Sequence, residues 1–130
     1  MTPGELAHAY ATCVDAGDVD GLTALFTSDC VLVVPDPPAH LEPTVEHHGP
    51  DGLRAALAPL AAFASTRHEV DGVEVEGTSG VVTGTAHHLL DDGTDLRWQV
   101  RYDDEYRPHG EGWRIARRAV TAVAIEKVRP

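Results

Sequence analysis

The hydrophobic period changes halfway along the chain, and this change constrains the fold more than any other feature. From Thr66 onward apolar and polar residues alternate, which predicts strands over residues 66–76, 80–90, 95–107 and 112–126. Short glycine-containing turn sequences lie between these segments and are typical of hairpin connections. We therefore predict that the second half of the chain is a four-stranded antiparallel meander.

The N-terminal residues instead recur at helical spacing. Thr2 can cap a helix, and the apolar stripe over residues 6–14 predicts one that ends near Gly17. Asp18 is interpreted as the N-cap of a second, short helix. Residues 27–29 are predicted to end that helix, with Asp29 as a further capping residue. The first part of the chain is thus predicted to be a pair of helices.

The middle of the chain connects these two halves. Residues 30–34 form a short β-branched run and predict a strand, whereas the proline-rich residues 35–46 predict a long loop. Turn residues over 48–52 then begin a third helix with an apolar stripe that extends to Phe63. Pro59 falls inside that helix and is expected to kink or divide it.

These elements define a fold class. A chain of 130 residues has the usual length of one domain, so we predict a single domain over residues 1–130. Helices followed by a long antiparallel sheet indicate an α+β architecture, in which the curved sheet wraps around the helices. Such a sheet leaves a cone with a pocket at its open end.

The charge of the chain limits its partners. A formal net charge of -11 would repel nucleic acid and anionic membrane surfaces, so neither is predicted as a partner. The N-terminus shows no basic segment followed by an apolar run, and the two cysteines are not arranged as a Cys-x-x-Cys pair. A reducing, cytoplasmic location is therefore expected.

Two histidine pairs raise the question of a metal site. His47 and His48 are adjacent, as are His87 and His88. Adjacent residues on a strand point to opposite sides of the sheet, so neither pair can chelate one ion. We predict neither a metal nor a cofactor.

Three segments resemble a known family. The segments are Asp-Ala-Gly-Asp-Val-Asp-Gly-Leu-Thr-Ala-Leu-Phe-Thr-Ser-Asp at residues 15–29, Tyr-Asp-Asp-Glu-Tyr at 102–106 and Gly-Trp-Arg-Ile-Ala-Arg-Arg at 112–118. Together with the order of elements, they resemble the SnoaL-like branch of the nuclear transport factor 2-like superfamily. The resemblance implies a cone-shaped α+β barrel. It leaves the reaction open, because dehydratases, isomerases, cyclases and binding domains without catalysis share this fold.

A narrower resemblance, to the scytalone dehydratase and hexachlorocyclohexane dehydrochlorinase branch, implies site residues. His68 lies where the catalytic histidine is expected on the first long strand, and Asp15 lies where its aspartate partner is expected near the end of the first helix. Tyr10 resembles an assisting tyrosine of that branch, and Arg118 resembles a cavity arginine in the last strand. The alternation places His68 on the same face as Val70, which also predicts that it points inward.

Two details depart from that branch. Where the dehydratases have a second histidine this chain has Ala86, and His88, on the same face of the strand, is the residue that could take over its role. In the last strand, strict alternation would point Arg117 inward. Arg118 can face the interior only if the strand contains a bulge.

The expected function is a cofactor-independent lyase or isomerase, with dehydration of a small apolar cyclic molecule as the first reaction to test. A polyketide cyclase is the nearest enzymatic alternative, and a small-molecule-binding domain without catalysis or a structural subunit of a larger enzyme are the alternatives from other classes. A homo-oligomer, dimer or trimer, is expected because the outer face of a curved sheet offers apolar surface.

Overall fold

The computed structural model describes all 130 residues, and its second half has the predicted form. The elements in chain order are α1 (Pro3–Ala16), α2 (Val19–Thr23), β1 (Phe26–Asp36), β2 (His40–His48), α3 (Gly49–Leu57), a 3-10 helix (Ala58–Ala62), β3 (Ser65–Glu76), β4 (Ser79–Leu89), β5 (Asp95–His109) and β6 (Gly112–Val128). Strands β3 to β6 pair with their neighbours as an antiparallel meander, which confirms that prediction.

The helix boundaries follow from capping. Thr2 and Glu5 form a reciprocal capping box at the start of α1, and Gly17, with a left-handed φ of 65°, ends it. Asp18 caps α2 by accepting a hydrogen bond from the Gly21 amide at 2.9 Å, as predicted. Pro59 divides the third helix as expected, because α3 ends at Leu57 and a 3-10 helix follows. No helix combines the length and apolar character needed to cross a membrane.

Two predictions for the middle of the chain are wrong. Residues 27–29 do not close α2 but lie in β1, where Asp29 binds Arg107 at 3.0 Å. The predicted loop over residues 35–46 is mostly a hairpin of β1 and β2. Strand β2 pairs only with β1, and an edge strand tolerates the missing N–H group of its one proline, Pro43.

The sheet has six strands in the order β2-β1-β6-β5-β4-β3. It is mixed rather than wholly antiparallel, because β1 pairs parallel to β6. The sheet curls without closing, so β2 and β3 are its two free edges. The α+β class is confirmed, and α1 packs across the concave face together with α3.

The outer face of β3, β4 and β5 is polar. His87 lies between two carboxylates, with its Nδ1 2.7 Å from Asp95 and its Nε2 2.9 Å from Glu69. Arg101 pairs with Asp103 on the same side. The prediction of a homo-oligomer was based on an apolar outer face, and this part of the sheet does not have one. Self-association stays a prediction.

Candidate active site

A cavity of about 520 Å³ lies between the concave face of the sheet and the helices. Apolar side chains form most of its wall, among them Leu32, Phe63, Trp98 and Val120. The polar residues that line it are Tyr10, Asp36, His47, His68, His88 and Tyr102. Such a cavity can bury most of a small apolar molecule and offers a few polar groups to orient it.

His68 and Asp15 form a hydrogen-bonded dyad at this cavity. The last turn of α1 carries Asp15 to β3, where its Oδ1 lies 2.6 Å from His68 Nδ1. Asp15 Oδ2 accepts the backbone N–H of His68 at 2.8 Å, and Oδ1 also accepts the Thr66 hydroxyl at 3.1 Å. A carboxylate is an acceptor only, so the neutral ring carries its proton on Nδ1. His68 Nε2 then has a free lone pair and no protein partner.

His88 lies beside His68 and is 3% exposed. The two ring centroids are 6.1 Å apart, and Phe63 and Trp98 flank the His88 ring at 5.0 Å and 4.8 Å. His88 Nδ1 lies 3.0 Å from the carbonyl oxygen of Leu96, so Nδ1 donates and Nε2 is an acceptor in the neutral ring. Burial lowers the pKa of His88, and the neighbouring His68 lowers it further.

This lowered pKa predicts a loss of stability on acidification. In the unfolded chain the His88 pKa is near 6.5, so between that pH and the lower folded pKa only the unfolded state binds the proton. The free energy of unfolding should therefore fall as the pH falls below 6.5. Urea titrations of the parent and His88→Gln between pH 7 and pH 5 test this prediction. The variant should lose less stability than the parent, and parallel curves would contradict the assignment.

Arg118 lies behind two tyrosines and not at the cavity surface. Its guanidinium carbon is 4.4 Å from the Tyr10 ring centroid and 4.3 Å from that of Tyr102. Asp104 accepts from its Nε at 2.8 Å and from its Nη2 at 2.7 Å. The bulge that Arg118 requires is present in β6, because Ala116 has no partner on β5.

Arg118 is paired with Asp104, while its Nη1 is buried without a hydrogen-bond partner. Burial alone would lower the pKa of Arg118, but the carboxylate of Asp104 raises it above its ordinary value. The guanidinium therefore stays protonated, although Arg118 is only 1% exposed. It stacks against both tyrosyl rings as a cation against two π faces.

The two tyrosines carry hydroxyl protons that no protein group accepts. Burial raises the pKa of both Tyr10 and Tyr102, so both hydroxyls are neutral near pH 7 and able to donate. Both residues line the cavity, and their rings meet edge to face at 5.6 Å. Tyr102 belongs to both the core and the cavity wall.

The structure also places the remaining histidines and one buried acid, Asp104. His87 faces the outside of the sheet and His88 the cavity, as the alternation of the strand predicts. Asp104 was missed, although it lies between Tyr102 and Tyr106 on one face of its strand. An acid at an inward position between two aromatic residues is a signal for a buried cation. His47 was weighed only as a metal ligand, and it lines the cavity.

The curled six-stranded sheet around α1 and the cavity that it encloses define a cone-shaped α+β fold of the nuclear transport factor 2-like class. The chain belongs to the SnoaL-like domain family, whose model matches residues 4–119. No curated protein matches the chain significantly in sequence.

Solved structures share this fold at low sequence identity. A hexachlorocyclohexane dehydrochlorinase of type 2 is similar with a TM-score of 0.80 and 13% identity, over 96% of this chain and 85% of the other. A provisionally named scytalone dehydratase from Novosphingobium aromaticivorans has a TM-score of 0.73 and 19% identity, over 98% and 89% of the two chains. A provisionally named aromatic ring hydroxylase from the same organism has a TM-score of 0.76 and 21% identity, over 96% and 90%. Likeness at this level establishes the fold and leaves the reaction to the site.

Proposed function

We propose that this protein is a cofactor-independent lyase or isomerase that removes a carbon-bound proton from a small, largely apolar cyclic substrate. The observation that carries the proposal is the 2.6 Å contact of His68 Nδ1 with Asp15 Oδ1 at the wall of an apolar cavity. The resemblance to the dehydratase and dehydrochlorinase branch, which led to the same two residues, supports it.

His68 is the proposed base. Its Nε2 lone pair is free to take the proton, and its ring position is fixed because the backbone N–H of the same residue also donates to Asp15. Proton abstraction turns the ring into an imidazolium, which the Asp15 carboxylate stabilises. General base catalysis of this kind supplies about 10² to 10⁴ in rate.

His88 is proposed to bind a substrate hydroxyl. Its Nε2 is an acceptor on the same wall as His68, and its lowered pKa keeps the ring neutral. A hydroxyl donating to His88 lies close to the proton that His68 removes. In a dehydration, the imidazolium of His68 returns this proton to the hydroxyl as the carbon–oxygen bond breaks, so water leaves and a double bond forms.

Tyr10 and Tyr102 are proposed to bind the oxygen on which negative charge develops. Two preorganised donors in a site of low dielectric stabilise an enolate far better than water does. The cation of Arg118 beneath both rings favours the same charge. Arg118 is thereby a positioning residue, since it reaches the cavity only through the two tyrosines. This arrangement favours substrates with a carbonyl next to the carbon that loses its proton.

Dehydration and double-bond migration begin with the same proton transfer, so a reaction test must separate them. The first compound to test is 3-hydroxy-1-tetralone, which forms 1-naphthol when it loses water and can be followed by fluorescence. The second is 3-cyclohexen-1-one, whose conversion to the conjugated isomer is seen by ultraviolet absorbance. We expect the tetralone to react about 10² to 10⁴ times faster with the protein than in buffer.

The two rival functions predict different outcomes in the same experiment. A binding domain would bind the tetralone without accelerating the loss of water. A cyclase would leave both compounds unchanged. Either result would contradict the proposal.

A further inference from the structure

A third histidine reaches the cavity from the opposite edge of the sheet. His47 on β2 pairs directly with Leu32 on β1, and directly paired residues of antiparallel strands share a face. Leu32 is buried in the core, so His47 also points to the concave side, and it lines the cavity. His48, its neighbour, pairs with Val31 and is exposed on the other face.

The strand order places His47 and the proposed base on opposite edges of the sheet. Strand β2 is one free edge of the sheet and β3, which carries His68, is the other. The two edges face each other across the cavity because the sheet curls without closing. His47 and His68 therefore line opposite sides of one cavity.

Helix α3 fixes the backbone at His47. Gly52 packs directly on this backbone, and a Cβ at Gly52 would lie 2.6 Å from the carbonyl carbon of His47. The histidine is thus held by the contact of a helix with a strand. Its ring is half-buried and makes no hydrogen bond within the protein.

The surroundings of His47 indicate what it can bind. A neutral imidazole offers one donor and one acceptor. Asp36 lines the same cavity and carries a negative charge, but it lies further along β1, opposite His40. The net charge of -11 and the Asp36 carboxylate in the same cavity disfavour an anionic group, whereas a neutral hydroxyl can donate to His47.

We infer that His47 binds a second hydroxyl, at the end of the substrate remote from His68. The cavity is thus suited to a neutral cyclic molecule with oxygen at both ends, one group meeting His68 and His88 and the other meeting His47. The inference rests on the proposed function for the identity of the reacting end. His47 itself is a specificity residue and takes no part in proton abstraction.

Binding of two probes tests the inference without a known substrate. Naphthalene-2,6-diol carries hydroxyls at both ends, and 2-naphthol carries one. We expect the parent to bind the diol about 5- to 10-fold more tightly by calorimetry, as one added hydrogen bond predicts. In His47→Phe the two probes should bind equally, with little change for 2-naphthol. His47→Gln, whose amide both donates and accepts, should keep part of the preference.

The neighbouring histidine gives a matched control. His48→Phe makes the same change on the exposed face and should leave the preference for the diol intact. Equal affinities in the parent, binding of neither probe, or an unchanged preference in His47→Phe would each overturn the inference. If the proposed function fails but this inference holds, the protein will not turn over 3-hydroxy-1-tetralone and will still prefer the diol.

Discussion

Replacing Asp15 by asparagine is expected to lower kcat for 3-hydroxy-1-tetralone by about 10²- to 10⁴-fold, as much as replacing His68 by glutamine. The reason lies in the three hydrogen bonds that Asp15 accepts. One of its oxygens must accept the backbone N–H of His68, so the asparagine oxygen takes that place. The amide NH₂ group then faces His68 Nδ1, which must become an acceptor.

This exchange reverses the tautomer of His68. The ring proton moves to Nε2, the nitrogen that faces the cavity, and that nitrogen loses the lone pair needed to take a proton from carbon. The asparagine variant should therefore keep its fold and lose its base. Ring ¹H–¹⁵N NMR spectra measure this directly, with a protonated Nε2 expected in Asp15→Asn and an unprotonated Nε2 in the parent.

Thr66→Val is the matched control for this prediction. It removes the hydroxyl that donates to Asp15 Oδ1 and leaves both contacts of Asp15 with His68 in place. We expect a fall in kcat of less than about 10-fold, because the Thr66 hydroxyl affects the base only through Asp15 and its loss leaves the ring tautomer of His68 unchanged. A parent-like rate in Asp15→Asn would show that His68 is not the base that this geometry predicts.

Replacing Arg118 by methionine is expected to have the largest effect on stability, a loss of about 3–5 kcal/mol in the free energy of unfolding. The change leaves Asp104 without its cation at a site where the two side chains are 1% and 0% exposed. Asp104 then keeps only the hydrogen bond from the Tyr106 hydroxyl at 2.9 Å, and a buried carboxylate without a cation is far less favourable than an ion pair. Urea unfolding followed by circular dichroism measures the loss.

Two further variants show whether the burial of the charge is the cause. The double variant Arg118→Met, Asp104→Leu should be more stable than Arg118→Met alone, because it removes the unpaired charge. Arg101→Met breaks the similar pair with Asp103 on the outer face, where the two side chains are 51% and 46% exposed. Solvent screens that pair, so little change is expected. Equal losses in Arg101→Met and Arg118→Met would contradict the argument.

The contact between His68 and Asp15 could be predicted because local patterns set both positions. Alternation on β3 points His68 inward, and the C-cap at Gly17 ends α1 just after Asp15. The resemblance to a known branch then paired the two residues. Their separation of 2.6 Å and the third contact from Thr66 come only from the packing of α1 on β3.

The charged pair behind the tyrosines shows where local patterns are insufficient. The sequence indicates that Arg118 needs a bulge to face inward, but it does not say whether the bulge exists. The register of β5 against β6 decides this, and it places Asp104 opposite Arg118. Register depends on many simultaneous contacts along two strands, and no single segment encodes it.

Elements with a strong hydrophobic period or a cap could be predicted from the sequence: the two N-terminal helices, the division of the third helix at Pro59, and the antiparallel meander. Hydrophobic period and turn chemistry act over a few residues, so they can be recognised in a single sequence. Local patterns do not show that residues 35–46 form an edge hairpin, that β1 pairs parallel to β6, or that His47 and His68 line one cavity from the two free edges of the sheet. These features depend on which distant segments pair. The pairing is determined by how the whole core is buried, and not by any one segment.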